Sequence, residues 1–301
     1  MLTYADRSAI ARAAVLPALA CRESRALLGA PAGKSQVYYL LYQYKSTNTD
    51  ANAAYSALLQ CGPGLAVCSS SPERFLSVSA EGLCDSKPIK GTRRRGASAE
   101  EDAGICQELR SSEKDLAENL MIVDLVRNDF GRVCTEGSVC CPKIMDVETY
   151  ATVHQLVSTI QGHKKPHLHT MDVVRATFPM GSMTGAPKRR SLALLDALES
   201  DARGIYSGAI GFLSLNGAAH FAVAIRTAVV TDTGVKVGAG GAITVLSDAC
   251  DEWDEMQLKA SVLLSCAYAV ASSTSTSSFA LPLTSPAAGS AASEVASSGM
   301  A

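Results

Sequence analysis

The run Asp85-Ser86-Lys87-Pro88-Ile89-Lys90-Gly91-Thr92-Arg93-Arg94-Arg95-Gly96 sets a lysine between an isoleucine and a glycine and follows it with three arginines. Read as a short extended segment, it holds an amine beside several fixed cations, which eases loss of its proton, and a neutral amine is a nucleophile. Read as a solvated basic loop, the same run is only a surface feature. The flanking sequence decides between the two.

The composition narrows the classes of function. A chain of 301 residues with 47% hydrophobic content can bury a large core as one big domain or two smaller ones. A formal charge of −2 and a pI near 6.2 argue against a general nucleic-acid or membrane-surface binder. No apolar run approaches the roughly 20 residues that cross a bilayer, so no membrane partner is expected and the chain reads as soluble. The 10 cysteines show no CxxC spacing and no signal-peptide core precedes them, so they read as reduced and mostly buried. Residues 1–35 form a poorly defined N-terminal segment, Ala- and Arg-rich but interrupted by Asp6 and Glu23, which is a weak match to an organelle transit peptide.

Upstream of the basic run, Gly29 to Ser35 imitates a phosphate-binding loop, but three residues separate the glycines where four are required. Residues 37–44 read as a strand, 45–52 as a polar linker, and 53–60 as helical. Strands over 64–69 and 74–78 flank Ser71-Pro72-Glu73, which places a carboxylate beside a proline, at a sheet edge or a bulge. A surface ion pair with Arg74 is the plain alternative for Glu73.

Downstream, Ser112-Glu113-Lys114-Asp115 has the capping-box pattern that opens a helix, running on to Arg127 with Leu116, Leu120 and Val123 on one face. Asp115 and Glu118 project together from another face and call for a cation, unless that face is simply solvated. The stretch 147–161 sets His154 among apolar neighbours, where a satisfied core histidine is the commoner outcome. The three histidines of 163–169 lack Cys or acidic companions, which discounts a metal site there. Gly181 to Lys188 leads into a helix with Leu192, Leu195 and Leu198 in a stripe, ending at Arg203-Gly204, and its N-terminus favours an anion.

Residues 205–215, 219–231 and 235–246 read as a β-meander joined by hairpin chemistry. In its middle strand Arg226 alternates with alanines, leaving room for an anion or for a structural partner carboxylate. Gly238 to Gly241 lets backbone approach a ligand, or forms a bulge. A last helix over 248–270 carries Glu252, Glu255 and Lys259 on one face. The Ser- and Ala-rich stretch 271–301 reads as disordered.

Taken together, Ser71-Pro72-Glu73-Arg74-Phe75, the Lys87–Gly96 run, Ser112 to Asp129, Tyr150 to Ile160, Gly181 to Ser191, Arg203 to Phe212, Ala224 to Thr227, Gly238 to Ile243 and Asp251 to Ala260 resemble, in the same order, the chorismate-utilising enzymes. Lys90, where the anthranilate branch has alanine, makes the chain most similar to the aminodeoxychorismate branch, component I. Asp115, Asn119 and Ser182-Met183-Thr184 lean the same way, towards plant and algal versions. The resemblance implies an α+β fold of two packed, mainly antiparallel sheets flanked by helices, with a catalytic domain over 36–270. The family's longer N-terminal region is missing, so an N-terminally truncated domain is expected.

The resemblance also implies the chemistry. Chorismate would lose its 4-hydroxyl and gain ammonia to give 4-amino-4-deoxychorismate, for para-aminobenzoate and folate biosynthesis. Lys90 would add at C2 and Glu73 would act as general acid, with His154 and Ser182 lining the ring. Tyr206, Arg226, the Gly240 amide and Lys259 would bind the substrate carboxylates. Magnesium would be held directly by Glu118 and Glu255, with Asp115 and Glu252 in contact directly or through water. No glutaminase motif is present, so a glutamine amidotransferase subunit or fused domain would supply ammonia. Plastid or cytoplasm is the implied compartment. Anthranilate formation is the alternative chemistry, and an inactive fragment or chorismate-binding module is the alternative of another class.

Overall fold

The computed structural model describes residues 38–43, 55–62, 64–245 and 247–273. The N-terminal segment 1–35, the linker 45–52 and the chain beyond 273 lie outside the described residues.

Twelve described strands form two sheets in which every pairing is antiparallel. In chain order they are β1 (Tyr38–Gln43), β2 (Tyr55–Gln60), β3 (Leu65–Ser71), β4 (Arg74–Val78), β5 (Leu83–Lys87), β6 (Ile89–Arg94), β7 (Cys140–Thr149), β8 (Val153–His163), β9 (Ala209–Leu213), β10 (Ala219–Val223), β11 (Thr227–Thr231) and β12 (Gly234–Val237). The helices are α1 (Ala99–Ser111), α2 (Glu113–Val133), α3 (Thr170–Thr177), α4 (Lys188–Leu198) and α5 (Ala249–Ser273), with a 3₁₀ turn at Gly181–Met183. One sheet has the order β1-β2-β3-β11-β12. The other has the order β6-β8-β5-β4-β10-β9, with β7 also paired to β8. This is the two-sheet antiparallel α+β architecture that the sequence implied.

The core lies between the seven-stranded sheet and the helices on it. Phe75, Leu76, Val78 and Cys84 from β4 and β5 meet Val123, Phe130 and Val133 of α2, together with Ile160, Val173, Met180 and Val223. Each such fully buried side chain contributes about 1.5–3 kcal/mol. The Ser112 hydroxyl accepts a hydrogen bond from the Asp115 amide at 3.4 Å and caps α2. The buried face of α2 is Asn119, Ile122, Val123, Phe130 and Val133, whereas Leu120 of the expected stripe is half exposed.

Several elements depart from the sequence reading. Residues 55–60 are strand β2, since pairing to β1 and β3 on both sides overrides their helical composition. The stretch 147–161 is a hairpin turning at 150–152, joining β7 to β8. Helix α1 carries a Ser98 cap that accepts from the Glu101 amide, a Ser-x-x-Glu signal that the sequence reading passed over. Helix α4 stops at Leu198, well before Arg203, and buries no residue; Leu192 and Leu198 are exposed.

The largest departure fixes the site. The middle strand of the expected meander is two strands in different sheets, β10 and β11, broken at 224–226, where Arg226 takes φ 50°. Ser71-Pro72-Glu73 makes the same change of sheet between β3 and β4. The two crossings are bonded to each other: the Val223 amide donates to the Glu73 carbonyl at 3.0 Å and the Ser70 amide to the Arg226 carbonyl at 3.0 Å. Strands that switch sheets at a bulge or bend turn the corner of a packed β structure. Glu73 is therefore interior to its sheet, opposite a register shift in β10, and not at an edge.

Candidate active site

Glu73 is 7% exposed and not a surface ion pair. Its carboxyl is pushed up to about 7, first by burial, against the smaller pull of Ser182 and Lys90. It lines a cleft with Ser86, Pro88, Ile122, Met180 and Ser182, whose walls are largely apolar. A carboxyl in such a place is protonated near neutrality and can donate a proton to a leaving group.

Lys90 stands close enough for its charge to act on Glu73, and it sits on β6, which is bulged. Its register against β8 slips between Ile89 and Thr92, where Gly91 takes φ 79°. A Cβ on Gly91 would stand 2.8 Å from both Asp115 and Leu109 side-chain carbons, so strand β6 lies directly on α1 and α2. The bulge aims two cations at α2: Lys90 Nζ lies 3.9 Å from Glu118 Oε2, and Arg93 Nη2 lies 3.0 Å from Asp115 Oδ2. The arginines are therefore partners of helix acids. Arg93 also meets Glu108, Arg94 pairs with Glu101, and Arg95 with Asp102.

A second group forms where α5 meets the crossing at Arg226. The Arg226 guanidinium is partly buried, which pulls its proton affinity down, and it donates to the Lys259 carbonyl at 2.6 Å. Tyr206 feels the Arg226 charge. Its ring lies against Gly238, where an added Cβ would fall 2.2 Å from Tyr206 Cγ. Lys259 Nζ bonds Glu255 at 2.6 Å and donates to the Gly240 carbonyl at 3.1 Å. Tyr206, Arg226, Gly240 and Lys259 thus come together, joined by Glu255, which the sequence reading set among the magnesium ligands, and it is the carbonyl of Gly240, not its amide, whose partner is defined. Arg226 and Lys259 make this end of the site fit for an anionic group.

His154 stands apart from both groups. It is 2% exposed, with Nε2 2.9 Å from Asp102 Oδ1 and Nδ1 2.8 Å from Thr149 Oγ1, so both ring nitrogens have partners within the protein. Asp102 also holds Arg95 and the Gly96 amide, which keep its carboxyl well below the usual range. Asn119 is fully buried and accepts from the Ser158 hydroxyl, locking α2 to β8.

The four acids expected to hold magnesium lie on α2 and α5, which face each other, but each carries a base. Glu118 has Lys90, Asp115 has Arg93, Glu255 has Lys259, and Glu252 has Lys114 at 3.3 Å. Among the described residues, no three of His, Cys, Asp and Glu stand close enough to hold a metal ion. In this arrangement the four acids do not fit a divalent ion. Lys114, which the sequence reading did not single out, could have been noticed as a base one helical turn before Glu118.

The structure thus sets a buried acid near an amine and gathers a guanidinium and a second amine at the Arg226 crossing, in a fold of two antiparallel sheets. The profile of the family described as chorismate binding enzyme matches residues 35–265, and the chain belongs to that family. It is 53% identical over 224 residues to an aminodeoxychorismate synthase of Streptomyces pristinaespiralis, covering 74% of this chain and 31% of the relative. It is 53% identical over 208 residues to a chloroplastic aminodeoxychorismate synthase of Arabidopsis thaliana, covering 69% of this chain and 23% of the relative. The crystal structure of anthranilate synthase component I from Streptococcus pneumoniae is similar at 34% identity and a TM-score of 0.61, over 75% of this chain and 46% of that one. The chain thus spans under a third of the length of these two synthases. No helix among the described residues is long and apolar enough to cross a membrane.

Proposed function

We propose that this chain carries the synthase chemistry of an aminodeoxychorismate synthase, replacing the 4-hydroxyl of chorismate by ammonia. The single observation that carries the proposal is Glu73, a buried carboxyl held protonated near neutrality beside Lys90 and Ser182. Arg226, Tyr206 and Lys259 would take the substrate carboxylates, with the ring lying towards Ser182. The Lys90 amine forms a bond to C2, the ring double bonds shift, and the C4–O bond breaks as Glu73 delivers its proton, releasing water. Ammonia then bonds to C4 and gives up a proton that returns Glu73 to its acid form, the double bonds shift back, and the C2–N bond to Lys90 breaks to restore the free amine. The net change is chorismate plus ammonia to 4-amino-4-deoxychorismate plus water. His154 acts from behind, fixing Asp102 and Arg95 at the end of β6 rather than touching the ring.

Ammonia would come from a glutamine amidotransferase subunit or domain, and the chloroplastic name of the Arabidopsis relative supports a plastid location. Magnesium enters no step of this proposal, because the acids are closed by bases. The test is product identification by mass from purified chain given chorismate, ammonium and magnesium. The expected product is 4-amino-4-deoxychorismate, abolished by Lys90→Ala. A fluorescent anthranilate product, or an unchanged rate in Lys90→Ala, would overturn the proposal.

A further inference from the structure

Two thiols that line no part of the cleft meet in the core. Cys84 on β5 and Cys134, which caps the C-terminus of α2, are 0% and 1% exposed. Their meeting follows from the sheet register. Cys84 stands opposite Gly162 of β8, so a side chain at 162 would lie about 5 Å from that of Cys84 on the same face of the sheet. Gly162 leaves that space to Cys134: a Cβ on Gly162 would fall 2.8 Å from Cys134 Sγ and 3.1 Å from its Cβ. The Cys134 sulfur thus takes the cross-strand position facing Cys84, and each thiol alters the proton affinity of the other. A disulfide needs Cβ atoms about 4 Å apart, which this placement allows.

The two thiols are unlike. Cys84 holds its proton more tightly, through the neighbouring Cys134 first and then through burial. Cys134 gives its proton up more readily, because the Cys84 thiol stabilises the thiolate; burial opposes this, and the Lys165 charge adds to it. Lys165 is held at this end of α2, its amide donating to the Val133 carbonyl at 3.0 Å and its ammonium to the Arg132 carbonyl at 3.1 Å. Cys134 is also followed directly by an exposed turn at 135–137, so fraying of the last turn of α2 uncovers it while the sheet stays paired. A thiolate-prone cysteine with a second thiol against it is the arrangement in which oxidation stops at a disulfide.

We propose that Cys84 and Cys134 form a peroxide-sensitive pair, whose oxidation to an intrachain disulfide fastens the end of α2 to β5. The Cys134 thiolate attacks hydrogen peroxide, the O–O bond breaks, and the sulfur is oxidised to a sulfenic acid as hydroxide leaves. The Cys84 sulfur then bonds to the Cys134 sulfur, the S–O bond breaks, and water departs with the Cys84 proton. The net change is two thiols and one peroxide to one disulfide and two waters. An external dithiol reverses it by exchange. The new bond closes a ring of about fifty residues that contains Lys90, α1 and α2, so oxidation restrains the strand and helix between which Lys90 sits. This inference does not rest on the identity of the product.

The test is exposure of the reduced full chain to hydrogen peroxide, then alkylation of the remaining thiols in denaturant, proteolysis and mass mapping, with thermal melting of the same samples. The expected result is a peptide joining Cys84 to Cys134 that dithiothreitol cleaves. The oxidised chain should melt about 5–10 °C higher than the reduced one, from the length of the closed ring and the size of the chain. Cys84→Ala should instead trap Cys134 as a sulfenic acid that dimedone captures, and Cys134→Ala should leave Cys84 a thiol; neither should gain in melting temperature. Linkage confined to the exposed Cys61, Cys140 and Cys250, or alkylation of both core thiols after treatment, would overturn the pair. A linked pair with unchanged melting would overturn the fastening of α2. The mapping is read on the unaltered chain, so it decides the question even where a variant fails to fold.

Discussion

Replacing Glu73 by Gln isolates the consequence of burying an acid for chemistry. In the unfolded chain this carboxyl titrates near its ordinary value of 4.5, and in the folded chain at about 7. Between those values the folded state binds more protons than the unfolded one, so folding stability falls as pH rises from about 4.5 to about 7 and is level above. A difference of about 2.5 pH units at 1.36 kcal/mol each gives a cost of about 3 kcal/mol at pH 8. Glu73→Gln keeps the shape, removes the charge, and should therefore be the more stable protein, by nearly nothing at pH 4.5 and by about 3 kcal/mol at pH 8. Urea denaturation of both chains between pH 4.5 and 8 measures the difference, and the same variant should have lost product formation at every pH. A stability gap that does not change with pH would refute the reasoning, because it would mean that Glu73 titrates alike in both states.

His220 carries the opposite sign. It is buried against the Tyr55 ring, and burial and then the Arg74 charge push it down to about 4, so its stabilisation is complete above 6.5 and is lost as pH falls through 4. His220→Phe should flatten the acid limb of the stability curve by up to about 3 kcal/mol, read by the same denaturation series. Gly91→Ala should destabilise by more than about 1 kcal/mol through its positive φ and its contact with Asp115 and Leu109, and should lower turnover more than binding by turning Lys90 away from the cleft. Lys188 Nζ bonds buried Asp129 at 2.6 Å, so Lys188→Met should cost about 3–5 kcal/mol in thermal melting, with part of the loss regained in the double variant with Asp129→Asn.

The sequence shows the cap at Ser112, the strand at 74–78 and the last helix plainly, because each depends on a local rule. Those rules fail where pairing decides. Tyr55 to Gln60 has no alternation to betray a strand lying between β1 and β3, and no glycine or proline marks the hairpin turn at 150–152. The break at Arg226 was hidden for the same reason, since a non-glycine residue at positive φ leaves no trace in composition. The site residues were visible through their resemblance to a family. Their partners were not, because the pairing of Lys114 with Glu252 spans 138 positions and exists only once α2 and α5 face each other.

The location of the acid and the guanidinium follows from the topology. A chain that moves from one sheet to the other must give up its ladder for two or three residues, and backbone there is free to turn a side chain inward. Two such crossings, at Glu73 and at Arg226, run side by side and complete each other's hydrogen bonds through Val223 and Ser70. The Glu73 carboxyl and the Arg226 guanidinium are thereby fixed to both sheets at once, which holds them more firmly than loop tips would. The amine is set differently, by a bulge on an end strand pressed onto two helices. Disturbing α2 should therefore misplace Lys90, the proposed nucleophile, while leaving the spacing of Glu73 and Arg226 intact, so that product formation should fall before affinity for an anionic substrate does.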